Sequence, residues 1–152
     1  MTYDVRSYRD LQQLNLIPVA GGESFSAPEE FEPFFEAGAF GVVQPDAAVV
    51  GGPASCRAVC ERALDLEIPV SMHAWSAGVG LAQNLHTSWS IGGIMAMEWP
   101  LTFHPLATDP IDGMCSFEDG YMLPGTKPGL GLDISDDWLA KFPYQPASER
   151  DY

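Results

Sequence analysis

Residues 68–78 read "IPVSMHAWSAG". An apolar, β-prone run ends on His73 and then breaks into small residues and glycine. Taken alone, a histidine there is a partly buried ring bonded to backbone, because histidines sit half inside many folds without doing chemistry. The neighbouring sequence changes that. "IPVAG" at 17–21 is followed by Glu23, "AFGVVQ" at 39–44 by Pro45-Asp46, and "IGGIMAM" at 91–97 by Glu98. Four apolar runs therefore each deliver one ionisable group, at spacings of 23, 27 and 25 residues. That spacing suits one strand plus one helix, since eight such units fill a barrel of roughly 250 residues.

Helical patterns occupy the gaps. "SAPEEFEPFFEAG" (26–38) opens with Ser26 as a cap, Glu29 three residues on and Pro28 in the first turn, and it closes at Gly38. Phe31, Phe34 and Phe35 recur at helical spacing within it. "ASCRAVCERALDLE" (54–67) places Cys56, Val59, Cys60, Ala63 and Leu64 on one face. "GVGLAQNLHTSWS" (78–90) places Leu81 and Leu85 on one side. Apolar strands alternating with helices predict an α/β fold of parallel βα units. In such folds the carboxyl ends of the strands gather on one face, where ligands bind. Glu23, Asp46, His73 and Glu98 are therefore expected around one cavity. A structural protein has little reason to collect such groups, because burying unpaired charge is costly.

Composition bounds the function. The 152 residues are 46% hydrophobic and 18% charged, a globular balance for one domain. A net charge of −14 disfavours nucleic acid and anionic membrane as partners, since phosphate binding needs clustered Lys and Arg. The start, "MTYDVRSYRD", has neither an apolar signal core nor a basic leader. An odd count of three cysteines fits reduced thiols, so a cytoplasmic location is expected. Cys56 and Cys60 have no second Cys/His pair nearby, which argues against zinc. "LPGTKPGLGL" (123–132) lacks the spacing and following helix of a phosphate loop. Beyond residue 100 the chain is rich in Pro, Gly and Asp and reads as an irregular tail. It ends in a short helix capped by Ser135 and a frayed "QPASERDY".

The chemistry available to the cluster is specific. Asp46 and His73 can pair, the carboxylate fixing the tautomer of a base that works near neutral pH. Glu98 can donate to a developing oxyanion when protonated. Glu23 is a hard oxygen ligand suited to magnesium. Trp75 and Trp99 stand close to His73 and Glu98 in sequence and can wall a pocket. His86 and His104 read as structural.

The motifs "IPVAGGES", "QPDAAVVGGP", "VSMHAWSAGVGLAQNLH", "MEWP" and "DGYMLPGTKPGLGLDIS" occur in that order. Together they resemble the C-terminal part of the mandelate racemase and muconate-lactonizing branch of the enolase superfamily. The resemblance runs from about residue 8 to residue 142. It implies the second half of a (β/α)7β TIM-like barrel, family strands five to eight, at 1–100. It implies that the tail, 101–152, packs on the family's capping domain. By the same resemblance Glu23 is a magnesium ligand, His73 and Asp46 are a proton-transferring dyad, and Glu98 bonds the substrate carboxylate. Enolase-superfamily sites use a Lys or His base with magnesium to stabilise an ene-diolate, so that mechanism comes with the resemblance and not from the residue pattern. The sequence departs from the family in lacking two further metal carboxylates, the Lys-x-Lys pair and the capping domain. It is therefore expected to be a fragment of, or a split, Mg2+-dependent acid-sugar dehydratase (a lyase) or racemase (an isomerase). Its substrate would be a small carboxylate or acid sugar, and its partner a complementing N-terminal half. The competing expectation is a non-catalytic truncated barrel that acts as an interaction or oligomerising protein.

Overall fold

The computed structural model describes residues 4–99, 101, 105–108 and 111–144. His104 and the "QPASERDY" end lie outside the described residues. Helix α1 (Val5–Gln13) starts at Asp4, whose side chain accepts from the Arg6 N–H. Strands β1 (Ala20–Gly21), β2 (Val42–Val43), β3 (Ser71–Met72) and β4 (Ala96–Met97) follow, each shorter than the apolar run that marks it in the sequence. β1 pairs parallel with β2, a parallel bridge joins Val43 to Val70, and β3 pairs parallel with β4. The architecture is thus α/β, with four strands running the same way in sequence order.

The connecting helices are α2 (Glu32–Glu36), α3 (Pro53–Asp65) and α4 (Gly78–Trp89). The single helix expected from Ser26 onward is instead a 3-10 turn, Pro28–Glu30, followed by the five-residue α2. The reason is local. Pro33 lacks the N–H that a continuous helix would use there. Glu30, rather than Glu29, closes the entry: its carboxylate accepts from the backbone N–H groups of Ser26 and Ala27. α3 begins on Pro53 after Gly52, at φ 101°, and buries Cys56, Val59, Cys60 and Ala63, the face its spacing predicts. α4 buries Leu81 and Leu85 likewise.

Two apolar clusters hold these layers together. The first is aromatic at one end, where Phe25, Phe31, Phe34, Phe35 and Phe40 interlock with Tyr8 of α1. It continues through Val43, Val59, Val70 and Met72, and each fully buried large side chain contributes roughly 1.5–3 kcal/mol. The second joins Leu81 and Leu85 of α4 to Ile111 and Met114 of the tail. The tail comprises α5 (Pro105–Thr108), the antiparallel hairpin β5 (Cys115–Glu118) and β6 (Tyr121–Pro124), and α6 (Asp136–Lys141), capped by Ser135. The Trp89 indole N–H donates to the Met122 carbonyl and ties the hairpin to α4. Among the described residues no helix is long and apolar enough to cross a membrane.

Candidate functional site

Parallel pairing puts the carboxyl ends of β1–β4 on one side, and the four ionisable residues leave from those ends. Gly22, at φ 105°, turns the chain after β1 and presents Glu23. A residue with a side chain is excluded at Gly22 because its Cβ would meet the Phe31 ring at 2.5 Å. Asp46 lies just past β2, His73 directly after β3 and Glu98 directly after β4. Backbone bonds hold these exits in register: His73 N–H donates to Pro45 O at 3.2 Å and Glu98 N–H to Met72 O at 3.0 Å.

The side chains meet. His73 Nδ1 is 2.9 Å from Asp46 Oδ2. His73 Nε2 is 3.7 Å from Glu23 Oε2 and 3.8 Å from Glu98 Oε2. Asp46 is 2% exposed, and its second oxygen, Oδ1, accepts from the Ala48 N–H and the Asn84 amide, each at 2.7 Å. An ionised carboxylate only accepts, so the proton between Asp46 and His73 sits on Nδ1. In the neutral ring Nε2 then carries the lone pair, on the side of Glu23 Oε2 and Glu98 Oε2, the geometry of an oriented base. Glu98 is held in turn: Oε2 accepts from the Ala74 N–H at 3.2 Å and Oε1 from the Gln44 amide at 3.3 Å.

Glu23, His73 and Glu98 border a cleft of about 520 Å³ that Ala74, Trp75, Trp99 and Leu101 also line, while Asp46 is buried behind His73 and does not line it. Trp75 stands 73% exposed at its rim, while Trp99 packs edge-on against Phe117 of the tail with ring centres 4.8 Å apart. No lysine or arginine is among these lining residues, so the cleft presents carboxylates around one imidazole. His86 stands apart from it, edge-on to Trp89 in α4 with its Nε2 buried and unpaired.

A magnesium ion asks for a near-octahedral shell of oxygens. Among the described residues no group of three His, Cys, Asp or Glu is placed to hold a metal ion. Glu23 supplies one carboxylate, and Asp46 spends its oxygens on His73, Asn84 and Ala48. The residues present therefore do not fit a magnesium site by themselves.

Three contributors escape the sequence reading: Gln44, the Ala74 N–H and Asn84. Gln44 is a polar residue ending an otherwise apolar run, beside Pro45-Asp46. Asn84 carries a clearer signal, because it falls three residues after Leu81 on the apolar face of α4, where an amide needs a buried partner.

Residues 1–138 match the family model described as Enolase C-terminal domain-like. Among similar proteins, D-galactonate dehydratase from Klebsiella pneumoniae (strain 342) is 29% identical over 136 residues, covering 86% of this chain and 36% of that protein. D-galactonate dehydratase from Xanthomonas campestris pv. campestris (strain B100) is 28% identical over 149 residues, covering 94% and 39%. A mandelate racemase/muconate lactonizing enzyme from Sulfitobacter sp. superposes with a TM-score of 0.83 at 27% identity, over 95% of this chain and 36% of that one. The chain spans little more than a third of the length of these relatives.

Proposed function

Because this chain belongs to the enolase C-terminal domain-like family, we propose that it carries the proton-transfer part of an acid-sugar dehydratase or racemase active site. His73 is the base, Asp46 orients it, and the substrate is a small carboxylate that loses its α-proton to Nε2. The observation that carries this reading is the 2.9 Å contact of Nδ1 with a buried carboxylate, with Nε2 left open to the cleft. Glu98 faces the same space and, when protonated, donates to the substrate carboxylate. Trp75 and Trp99 wall the cleft.

The same geometry argues that the reaction is finished by groups this chain does not contain. Deprotonation next to a carboxylate builds a second negative charge, which strong donors or a cation must offset. The cleft offers the opposite, the carboxylates of Glu23 and Glu98 with no lysine or arginine in its lining. On this reading the chain forms the second half of a (β/α)7β barrel, its partner is the segment carrying the first half, and Glu23 is one ligand of a magnesium site completed by that segment. The test is to combine the chain with a polypeptide carrying the part of a D-galactonate dehydratase that it does not match, and to assay acid-sugar dehydration with magnesium. Turnover that needs both pieces supports the proposal; a stable complex inert across an acid-sugar panel counts against it.

A second reading, an interaction or oligomerising protein, is favoured by one feature. Leu11, Leu14, Leu16 and Ile17 line an exposed apolar groove of about 390 Å³ beside β1, whose outer edge is unpaired among the described residues. Sedimentation of the purified chain decides it: a folded monomer at all concentrations removes that reading.

A further inference from the structure

The geometry points to Asn84 as the residue that positions the Asp46–His73 pair. This rests on the reading of His73 as the base and names what aims it. Asn84 is wholly buried in α4, yet every polar atom of its side chain is used. Nδ2 donates to Asp46 Oδ1 at 2.7 Å and to the Gly80 carbonyl at 3.2 Å, and Oδ1 accepts from the Ala47 N–H at 2.7 Å. The partners fix which amide atom is which, since a flipped amide would set oxygen against carboxylate and nitrogen against an N–H.

A carboxylate can turn about its Cβ–Cγ bond, and only one of its two oxygens reaches His73. The Ala48 N–H sits on the same loop as Asp46, so it orients the carboxylate within that loop but does not tie the loop to the rest of the fold. Asn84 belongs to a different element. It pins Oδ1 of Asp46 and the backbone of Ala47 to the body of α4, which leaves Oδ2 facing Nδ1. The close approach has its own provision: a Cβ on Gly80 would meet Ser76 Oγ at 2.2 Å and Ala48 Cβ at 3.1 Å. A residue larger than glycine there would push α4 off the loop and Asn84 out of reach.

The test reads the imidazole itself, in the full chain labelled with 15N-histidine, with His73→Gln assigning the signal. In the unsubstituted chain the proton rests on Nδ1 and exchanges slowly. Asn84→Ala and the near-isosteric Asn84→Leu, which fills the same space but removes the donor to Asp46, should each lose the protected Nδ1–H signal. Its exchange should quicken by about tenfold or more, the scale of one hydrogen bond to a charged group. Thr87→Ala, one turn further along α4, where the hydroxyl donates to the Gln83 carbonyl, should leave that signal unchanged. Folded Asn84→Ala and Asn84→Leu with an unaltered His73 signal would overturn the proposal. So would failure of both to fold, since Asn84 would then serve the fold rather than the aim of the base. The readout needs no substrate, so an inert complementation assay with an intact Asn84 effect sinks the proposed reaction and leaves this inference standing.

Discussion

At His73 the direction of the proton is set by Asp46, and one substitution shows how firmly. Asp46 Oδ1 is fixed as an acceptor by Asn84 and Ala48. In Asp46→Asn the amide oxygen must take that place, which turns the NH2 toward Nδ1. The imidazole then carries its proton on Nε2 and has no lone pair for the cleft. The variant should fold, show the inverted tautomer by 15N shifts, and lower proton abstraction in the complemented enzyme by about 10³–10⁴-fold, as tautomer reversal does in other acid–histidine pairs. The cysteines give a second prediction at this scale. All three are free, with Cys56 and Cys60 buried and Cys115 half-buried. A hydrogen bond with Cys60, and burial, hold the Cys56 thiol protonated well above the ordinary cysteine range. The unfolded chain releases that proton near pH 8.5 while the folded chain keeps it. Stability is therefore whole below that pH and falls as pH rises beyond it. Thiol titration at neutral pH should label Cys115 alone, and denaturant midpoints should drop on the alkaline side.

Among the elements, the β1–α2 segment depends on one aromatic contact. Phe31 is fully buried between Phe25, at 4.8 Å, and Phe35, at 6.0 Å, and it lies against Gly22. Phe31→Ala should cost about 3–5 kcal/mol, a large share of the 5–15 kcal/mol typical of a domain, read as a lower urea midpoint. Gly22→Ala combines a positive φ with a Cβ overlap and should cost more than about 1 kcal/mol. This is also the scale at which the sequence was most legible. The four apolar runs and the ionisable residues after them announce the strands and their carboxyl ends, because period and spacing are local signals. The entry of the first connecting helix departs from its sequence pattern, since Glu29 and Glu30 are both acids and only packing decides which one turns back. Asn84 and Gln44 stayed hidden for a different reason: their partners are 38 and 54 residues away, and no local pattern encodes such a distance.

In the molecule as a whole, Glu23, His73 and Glu98 line one cleft with Asp46 buried behind His73, but the sheet is open at β1 and β4 among the described residues. On the proposed function, the balancing positive charge comes from a partner. Magnesium should therefore leave the melting temperature of the chain alone unchanged at millimolar concentration, because a ligand stabilises only the state that binds it. The same ion should raise the melting temperature of the complemented pair, and a clear rise for the chain alone would contradict the assignment of an incomplete site. The most direct measurement follows the proton. The complemented pair is held in heavy water with an acid sugar and magnesium, and deuterium at the carbon next to the carboxylate is read by NMR. The expected result is wash-in at that carbon or, with the sugar deuterated there beforehand, slower dehydration than for the unlabelled sugar, and loss of both exchange and turnover in His73→Gln with the complex intact. Unchanged exchange and turnover in that variant would contradict the claim that His73 is the base.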